Sequence, residues 1–313
     1  MSFQKISDTI NIATSITHWS CFLIKYNHKQ NPNEYVCYNI NFATNQMLCD
    51  IIIDMSNAFM NIVRKQNMIL DYTAQNPKNV TEKVDMTGRL MALSWPSLIN
   101  HINNSDDSVD LKDISANAFV FVGSYQDVTD GSEKNLYLFT QKNPVLSFKR
   151  RSPIFSARNN TITETTEPLI QFGKCFDALI VDNTLYSINN NFESIFNVEF
   201  SHKIVCREHL EELESADIVE DMDAYRTFAT SGQNPKKFIT YNPEIVDKLK
   251  IPHFKRILES RLHVPINPVT QKFDLSDEKN AKNFTLAICG KTKNNMFDDG
   301  VCEVPSSIPI SFT

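Results

Sequence analysis

The sequence predicts an α+β protein: an antiparallel sheet of hairpins and meanders with packed helices, followed by a mainly helical C-terminal part. Short extended segments recur along the first two thirds of the chain. From Ala118 to Ile188 their connections are too short for the crossover helices that parallel strands require. Apolar residues at helical spacing mark one long helix near the N-terminus and shorter ones after residue 190. With 313 residues, 42% of them hydrophobic, the chain can bury a substantial core.

The N-terminal region, which we place at residues 1–115, opens with a predicted hairpin. Its two strands cover Trp19–Tyr26 and Glu34–Phe42, and both are rich in β-branched and aromatic residues. The stretch Asn27–Asn33 between them is rich in asparagine and contains a proline, which favours a turn.

Two helices are predicted in the rest of this region. Thr44 is placed to cap a long helix, in which apolar residues from Met47 to Val63 follow helical spacing. A second helix is predicted over Leu90–Ile102. We expect it to break at Trp95-Pro96, because a proline inside a helix removes a backbone donor.

The second region, residues 116–313, begins with an antiparallel meander around a central hairpin at 176–188. Asp182-Asn183 forms the predicted turn of that hairpin, since both residue types tolerate positive φ. The predicted strands are Ala118–Val122, Leu136–Thr140, Val145–Lys149, Phe176–Val181 and Leu185–Ile188.

The remainder is predicted to be mainly helical. We expect a short helix at Phe192–Phe196, a helix through the acidic segment after it, one at Pro243–Leu249 and one beginning around Pro252. The tail from Phe284 to Val304 is expected to return as one or two strands.

Composition favours a cytosolic protein without a cofactor. No apolar run approaches the about 18 residues that a membrane span needs, and the start of the sequence lacks an export signal. The seven cysteines are scattered and form no C-x-x-C pair, so we expect reduced thiols and neither a zinc nor a redox site.

Charge is segregated along the chain although the net charge is only −6. Residues 134–163 carry six basic residues and no acid, residues 199–223 carry nine acids, and residues 236–261 turn basic again. Such segregation gives one molecule both a basic and an acidic region, which predicts self-association into a homodimer or a higher homo-oligomer.

Motifs of small-molecule chemistry are missing from the sequence. There is no P-loop, no dinucleotide fingerprint, no H-E-x-x-H pair and no G-x-S-x-G elbow. His202 and His209 are seven residues apart, but a solvated helix face explains them better than a metal site. A metal-dependent nuclease using Asp177 and Glu193 stays open as an alternative. Asp182 is a third carboxylate near these two, but its position in the predicted turn already explains it.

The basic window 134–163 is the clearest candidate for a binding site. Lys149, Arg150 and Arg151 end a predicted strand and Arg158 follows, a layout that could contact successive phosphates of DNA. A solvated strand end that pairs with the acidic helix is the alternative, because charge runs usually reflect solvation and ion pairing. The second basic stretch adds Lys236, Lys237, Lys255 and Arg256 as further candidates for DNA contacts.

The segment FGKCFDALIVDNTLYSINNNFESIF, residues 172–196, resembles the signature of the Kiwa anti-phage KwaB family. It has a Phe-Asp pair opening an apolar strand, a tight turn, a Tyr-x-Ile strand, and a Phe-Glu pair followed by Ile-Phe. The upstream LYLFTQKNPVLSFKR and the late FTLAICGKTKNNMFDDGVCEV also resemble the family, so the likeness covers roughly residues 115–304. We therefore expect a KwaB-like domain at 116–313.

This resemblance implies a cytosolic effector that docks on a membrane protein, KwaA, and is thereby associated with the inner membrane. It also implies that the effector binds DNA without sequence preference and blocks phage replication and late transcription. The acidic helix suits contacts with KwaA or with a second copy of the chain. An adaptor whose basic window touches acidic lipid headgroups or KwaA is a further alternative.

Overall fold

The computed structural model describes residues 2–28, 34–74, 76–105, 116–141, 155–158, 161–164, 172–290, 292–294 and 301–303. The chain forms two compact units. The sheet unit comprises residues Met1–Asp71 and Lys78–Val198, and the helical unit comprises Tyr72–Pro77 and Glu199–Thr313. The predicted division between residues 115 and 116 falls within the sheet unit.

A mixed sheet of eight strands organises the sheet unit, with the order β2-β1-β5-β6-β9-β10-β4-β3. All neighbouring strands are antiparallel except β3 and β4, which are parallel. Strands β7 and β8 form a separate antiparallel pair. The strands are β1 (Trp19–Tyr26), β2 (Tyr35–Ile40), β3 (Ile69–Asp71), β4 (Thr81–Asp85), β5 (Ala118–Gln126), β6 (Glu133–Gln141), β7 (Phe155–Arg158), β8 (Thr161–Glu164), β9 (Ala178–Val181) and β10 (Thr184–Ser187). The predicted strand Val145–Lys149 lies outside the described residues.

In the described part of the sheet unit there are four helices: α1 (Ser2–Ser15), α2 (Asn45–Gln66), α3 (Ser94–Asn103) and α4 (Asn191–Ile195). Helices α1 and α2 share one hydrophobic core with alternate residues of the sheet, in which Phe59 of α2 lies together with Phe119 of β5 and Leu138 of β6. The Thr44 hydroxyl accepts a hydrogen bond from the backbone N–H of Met47, so the predicted cap of α2 is confirmed.

The predicted break at Trp95-Pro96 is wrong, because α3 runs uninterrupted from Ser94 to Asn103. Pro96 is the third residue of this helix. Backbone N–H groups of a first turn have no partner within the helix, so a proline there costs no hydrogen bond.

The predicted central hairpin is confirmed. Strands β9 and β10 pair in antiparallel register from Thr184↔Val181 to Ser187↔Ala178. Asp182 and Asn183 connect them with φ angles of 46° and 56°, as a two-residue hairpin turn requires. Phe192 and Phe196, which follow this hairpin, are both fully buried.

The described part of the helical unit contains five α-helices, one 3-10 helix and one short strand pair. The elements are α5 (Val198–Ser215, whose first residue belongs to the sheet unit), α6 (Met222–Thr230), the 3-10 helix Asn234–Thr240, α7 (Pro243–Leu249), α8 (Pro252–Leu262), α9 (Glu278–Ile288), β11 (Thr292–Asn294) and β12 (Val301–Glu303). Its core contains the rings of Tyr225, Phe238, Phe273 and Phe284. Asp221, Asn242 and Asp277 cap α6, α7 and α9.

The prediction of strands over Phe284–Val304 is wrong for its first part and confirmed for two short segments. Residues up to Ile288 continue α9, because Asp277 caps that helix and its apolar positions face the core. Beyond it, β11 and β12 pair in antiparallel fashion. Within the part of the chain that the structure describes, no helix is long and apolar enough to cross a membrane.

Candidate interaction surfaces

Half of the predicted basic window lies outside the described residues, including Lys149, Arg150 and Arg151. Arg158 is the last residue of β7, where it pairs with Thr161 of β8 across the two residues that connect the strands. Arg158 therefore stands at the turn end of a two-stranded ribbon that is separate from the main sheet.

Lys134, the first basic residue of that window, is engaged within the sheet unit. Its ammonium lies 2.5 Å from Asp127 Oδ2 and 3.4 Å from Asp182 Oδ1. The hydrogen bond with Asp127 is the main reason why the pKa of Lys134 is raised above its ordinary value. Lys134 is consequently a poor candidate for a phosphate contact.

Lys236 and Lys237 lie on the 3-10 helix of the helical unit and are half-buried. Lys237 Nζ donates to Asn234 Oδ1 at 3.1 Å. The pKa of Glu199, near the start of α5, is lowered mainly by its hydrogen bond with Lys203, and that of His202 mainly by burial; the charge of Lys236 adds to both shifts.

Lys255 and Arg256 lie on α8, and only Arg256 is exposed. Lys255 Nζ donates to the backbone oxygen of Gln271 and lies 5.9 Å from the centre of the Phe273 ring. Burial, and next the charge of Lys272, lower the pKa of Lys255.

Lys236 and Lys255, one from each of these two basic pairs, lie near opposite ends of α5. Lys236 acts on Glu199 near the start of the helix, whereas Lys255 interacts electrostatically with Asp217, two residues beyond its end. At 1.5 Å per residue, the ends of this helix are about 25 Å apart. The structure therefore does not bring these four candidates into one cluster.

The acidic segment between them is largely engaged by partners in its own unit. Glu199 pairs with Lys203, Glu214 and Asp223 with Arg226, and Asp217 with Lys272. Glu220 accepts hydrogen bonds from Asn267 and Thr270, and Asp221 caps α6. Because most of these groups are exposed, the pairs keep solvent contact and each contributes little to stability.

Asp177, the first carboxylate of the nuclease alternative, ties a strand to the loop that follows β10. One oxygen accepts the backbone N–H of Gln141 at 2.5 Å, and the other accepts the side-chain amides of Asn189 and Asn191 at 2.6 and 2.8 Å. Glu193 instead accepts a hydrogen bond from Asn190. Among the described residues, no three His, Cys, Asp or Glu side chains are grouped so that they could hold a metal ion.

An open cleft of about 540 Å³ lies between α3 and the strands β6 and β9 of the sheet unit. Its apolar lining comes from Trp95, Ile99, Tyr137 and Ile180. Its polar lining comes from Lys134, Asn135, Asp182 and Asn183. Sequence reasoning missed this cleft, because no single segment contributes enough of it to leave a recognisable pattern.

The charges around the cleft are balanced. Asp182 lies between two ammonium groups, that of Lys134 and that of Lys5 on α1, whose Nζ is 3.2 Å from Asp182 Oδ2. Lys134 in turn lies between Asp182 and Asp127. Two lysines thus face two aspartates; of these four, Lys134 and Asp182 line the cleft, and their charges cancel.

A family model described as Kiwa protein KwaB-like matches residues 129–285, which is half of the chain. The match begins in the loop before β6 and ends within α9, so it takes in the central hairpin and most of the helical unit. No curated protein and no solved structure matches the sequence.

Proposed function

Because the chain belongs to the Kiwa KwaB-like family, we propose that it acts as the DNA-binding effector of an anti-phage defence complex. In this proposal it binds duplex DNA without sequence preference, docks on a membrane partner of the KwaA type, and blocks phage replication and late transcription. It works in the cytoplasm and is held at the inner membrane by that partner.

The β7–β8 ribbon is the observation that carries the DNA-binding part of the proposal. A two-stranded antiparallel ribbon is one of the two elements that the major groove of B-DNA admits. Arg158 stands at the turn end of this ribbon, and Lys149, Arg150 and Arg151 precede its first strand by a few residues. This places four basic residues within ten positions of one another.

Phosphate contacts account for the expected lack of sequence preference. Lysine and arginine side chains that neutralise phosphates position a protein on DNA but read no bases. The window contains no acid from residue 134 to residue 163, so its charge is not offset by neighbours along the chain. In the helical unit, by contrast, Glu199, Glu214 and Asp217 already have basic partners.

The test is the salt dependence of duplex DNA binding, measured by fluorescence anisotropy. Affinity is expected to fall with a log-log slope of about −0.9 per contacted phosphate. The double change Arg150→Ala and Arg151→Ala should weaken binding to all sequences equally and make the slope shallower by about two. As a matched control, Arg64→Ala with Lys65→Ala removes the same charge from the exposed end of α2 and should leave the slope unchanged.

If the Arg150 and Arg151 variant binds with the parental affinity and slope, the contacts lie elsewhere. Lys236 and Lys237, and separately Lys255 and Arg256, are then the next pairs to change. If the parental protein shows no salt-sensitive DNA binding at all, the effector proposal fails. The adaptor alternative, in which the window contacts lipid headgroups or the membrane partner, takes its place.

Assembly is a separate part of the proposal. We expect a homodimer or a higher homo-oligomer, because segregated charges allow one copy to complement another. Light scattering across micromolar concentrations tests this, and a strict monomer would contradict it. Co-purification with the membrane partner tests docking in the same preparation.

A further inference from the structure

The two aromatic rings of the cleft stand at a right angle. The centre of the Trp95 ring is 5.1 Å from that of Tyr137, and their planes meet at 87°. A planar ligand that stacks on either ring is therefore perpendicular to the other. Offset stacking and edge-to-face contact are the two arrangements that aromatic rings prefer, and this corner offers both at once.

The polar groups around this corner suit a neutral ligand. Lys134 and Lys5 are offset by Asp127 and Asp182, so the rim has no excess of positive charge to attract a phosphate. A volume of about 540 Å³ lies within the range of about 300–1,000 Å³ that is typical of small-molecule sites.

Hydrogen-bonding groups line the same cleft and can meet the polar edge of a planar ligand. The hydroxyl oxygen of Tyr137 accepts a hydrogen bond from Asn135 at 3.4 Å, which leaves its own O–H to donate. Burial raises the pKa of Tyr137, so the hydroxyl keeps its proton at neutral pH. The side-chain amide of Asn183, at the rim, offers both a donor and an acceptor.

We propose that this cleft binds a single unpaired nucleobase. A base has two apolar faces for stacking and an edge that carries both donors and acceptors, and bases taken out of a helix are held in this manner. The base can belong to a single DNA strand, in which case the inference rests on the DNA binding proposed above. It can also belong to a free nucleoside, in which case it does not.

Tryptophan fluorescence gives a direct measurement. The chain has two tryptophans; Trp19 is buried, whereas Trp95 lines the cleft, so a ligand there is expected to change the emission of Trp95 alone. Titration with adenosine should give saturable quenching in the parental protein. The quenching should be lost in Trp95→Phe, which keeps an aromatic ring in the packing and leaves only Trp19 to report.

A second variant separates binding from folding. Asn183→Gly removes the rim amide and turns the hairpin connection into Asp-Gly, a favoured sequence for a two-residue turn with positive φ. The variant should keep the parental melting temperature and bind adenosine about three- to tenfold more weakly. Unaltered adenosine affinity in both Asn183→Gly and Tyr137→Phe would contradict the assignment of the edge contacts.

A single strand of oligo-dA and an abasic strand of equal length then distinguish the two sources of the base. Stacking of one base is worth roughly 5- to 150-fold in affinity, so the parental protein should prefer oligo-dA and Trp95→Ala should lose that preference. Adenosine quenching without this preference supports the cleft and assigns it to a free nucleoside. Quenching without any duplex binding supports the cleft while the proposed effector function fails. Absence of quenching by adenosine overturns the inference.

Discussion

The sheet unit and the helical unit use their polar residues in different ways. In the sheet unit, Asp177 is almost fully buried and fixes the strand end and a loop through three hydrogen bonds. In the helical unit, charged side chains such as Arg226 and Lys272 form pairs at the surface. Equal numbers of polar contacts therefore predict unequal losses of stability in the two units. A buried group cannot form a hydrogen bond with water when its partner is removed, whereas an exposed group can.

The largest effect is expected from the core of the sheet unit. Phe196→Ala should lower the free energy of unfolding by about 3–5 kcal/mol, because the fully buried ring packs against Phe139 and Trp95. Chemical denaturation measures this. Phe254→Ala, at a half-buried ring of the helical unit, is the control and should cost clearly less. An unchanged midpoint for Phe196→Ala would reject the described packing.

Asp177→Ala should cost about 2–3 kcal/mol, since it leaves the Gln141 N–H and the amides of Asn189 and Asn191 without their acceptor. The matched control is Asp223→Ala, which removes an exposed carboxylate from the helical unit and should be nearly neutral. Equal losses in the free energy of unfolding for the two variants, measured by chemical denaturation, would contradict the proposed difference between the units.

One titratable group is an exception to this contrast, because it belongs to the helical unit and is nevertheless buried. His202 of the helical unit is almost fully buried, and its ring stacks on that of Tyr72. Burial, and next the charge of Lys236, lower the pKa of His202 to about 4, while Glu199 opposes the shift. The unfolded chain, with a pKa of about 6.5, binds the proton first as the pH falls, so stability is lost between about pH 6.5 and pH 4.

This loss amounts to about 2 kcal/mol on going from pH 7 to pH 5, from the difference between the folded and the unfolded pKa. His202→Gln keeps an acceptor for Tyr72 and does not titrate, so it should remove that part of the pH dependence. Denaturation curves of parent and variant at both pH values measure the difference. An identical pH dependence would show that His202 is not neutralised by burial.

The smallest effect is expected from the surface pairs. Arg226→Ala breaks contacts with Glu214 at 2.8 Å and Asp223 at 3.3 Å, yet it should cost less than about 1 kcal/mol because all three groups are exposed to solvent. The cost should shrink further in 1 M salt, where such pairs are screened. Thermal melting at low and high salt measures both values, and a salt-independent loss above 2 kcal/mol would contradict this assignment.

Features of the fold that depend on local chemistry could be predicted from the sequence. Thr44 and the helix it caps, and Asp182-Asn183 and the hairpin it connects, follow from residues within a few positions of one another. Strands β3 and β4 were not predicted, because three- and five-residue strands carry too little pattern. Helix α1 was not predicted either, and its stability comes from packing against α2 and the sheet.

The candidate sites show the same difference between features that are local in the sequence and features that depend on the fold. Charge runs are visible in a sequence, so the basic window and the acidic segment could be named in advance. The ion-pair partners of these charges could not be named in advance. Lys134, for example, pairs with Asp127 and Asp182 because β6 lies beside the central hairpin in the fold. The cleft joins Trp95, Tyr137 and Asn183, which are separated by up to 88 positions and meet only in the fold.

Residues Tyr72–Pro77 belong to the helical unit although they lie between β3 and β4 of the sheet unit. During synthesis this segment leaves the ribosome about 120 residues before α5 does. At a translation rate of about 5–20 residues per second, Tyr72 is synthesised roughly 6–25 s before His202, the residue on whose ring it stacks. The helical unit therefore cannot be completed from the later part of the chain alone. A fragment that begins at Glu199 would lack Tyr72–Pro77, the part of this unit that is synthesised first.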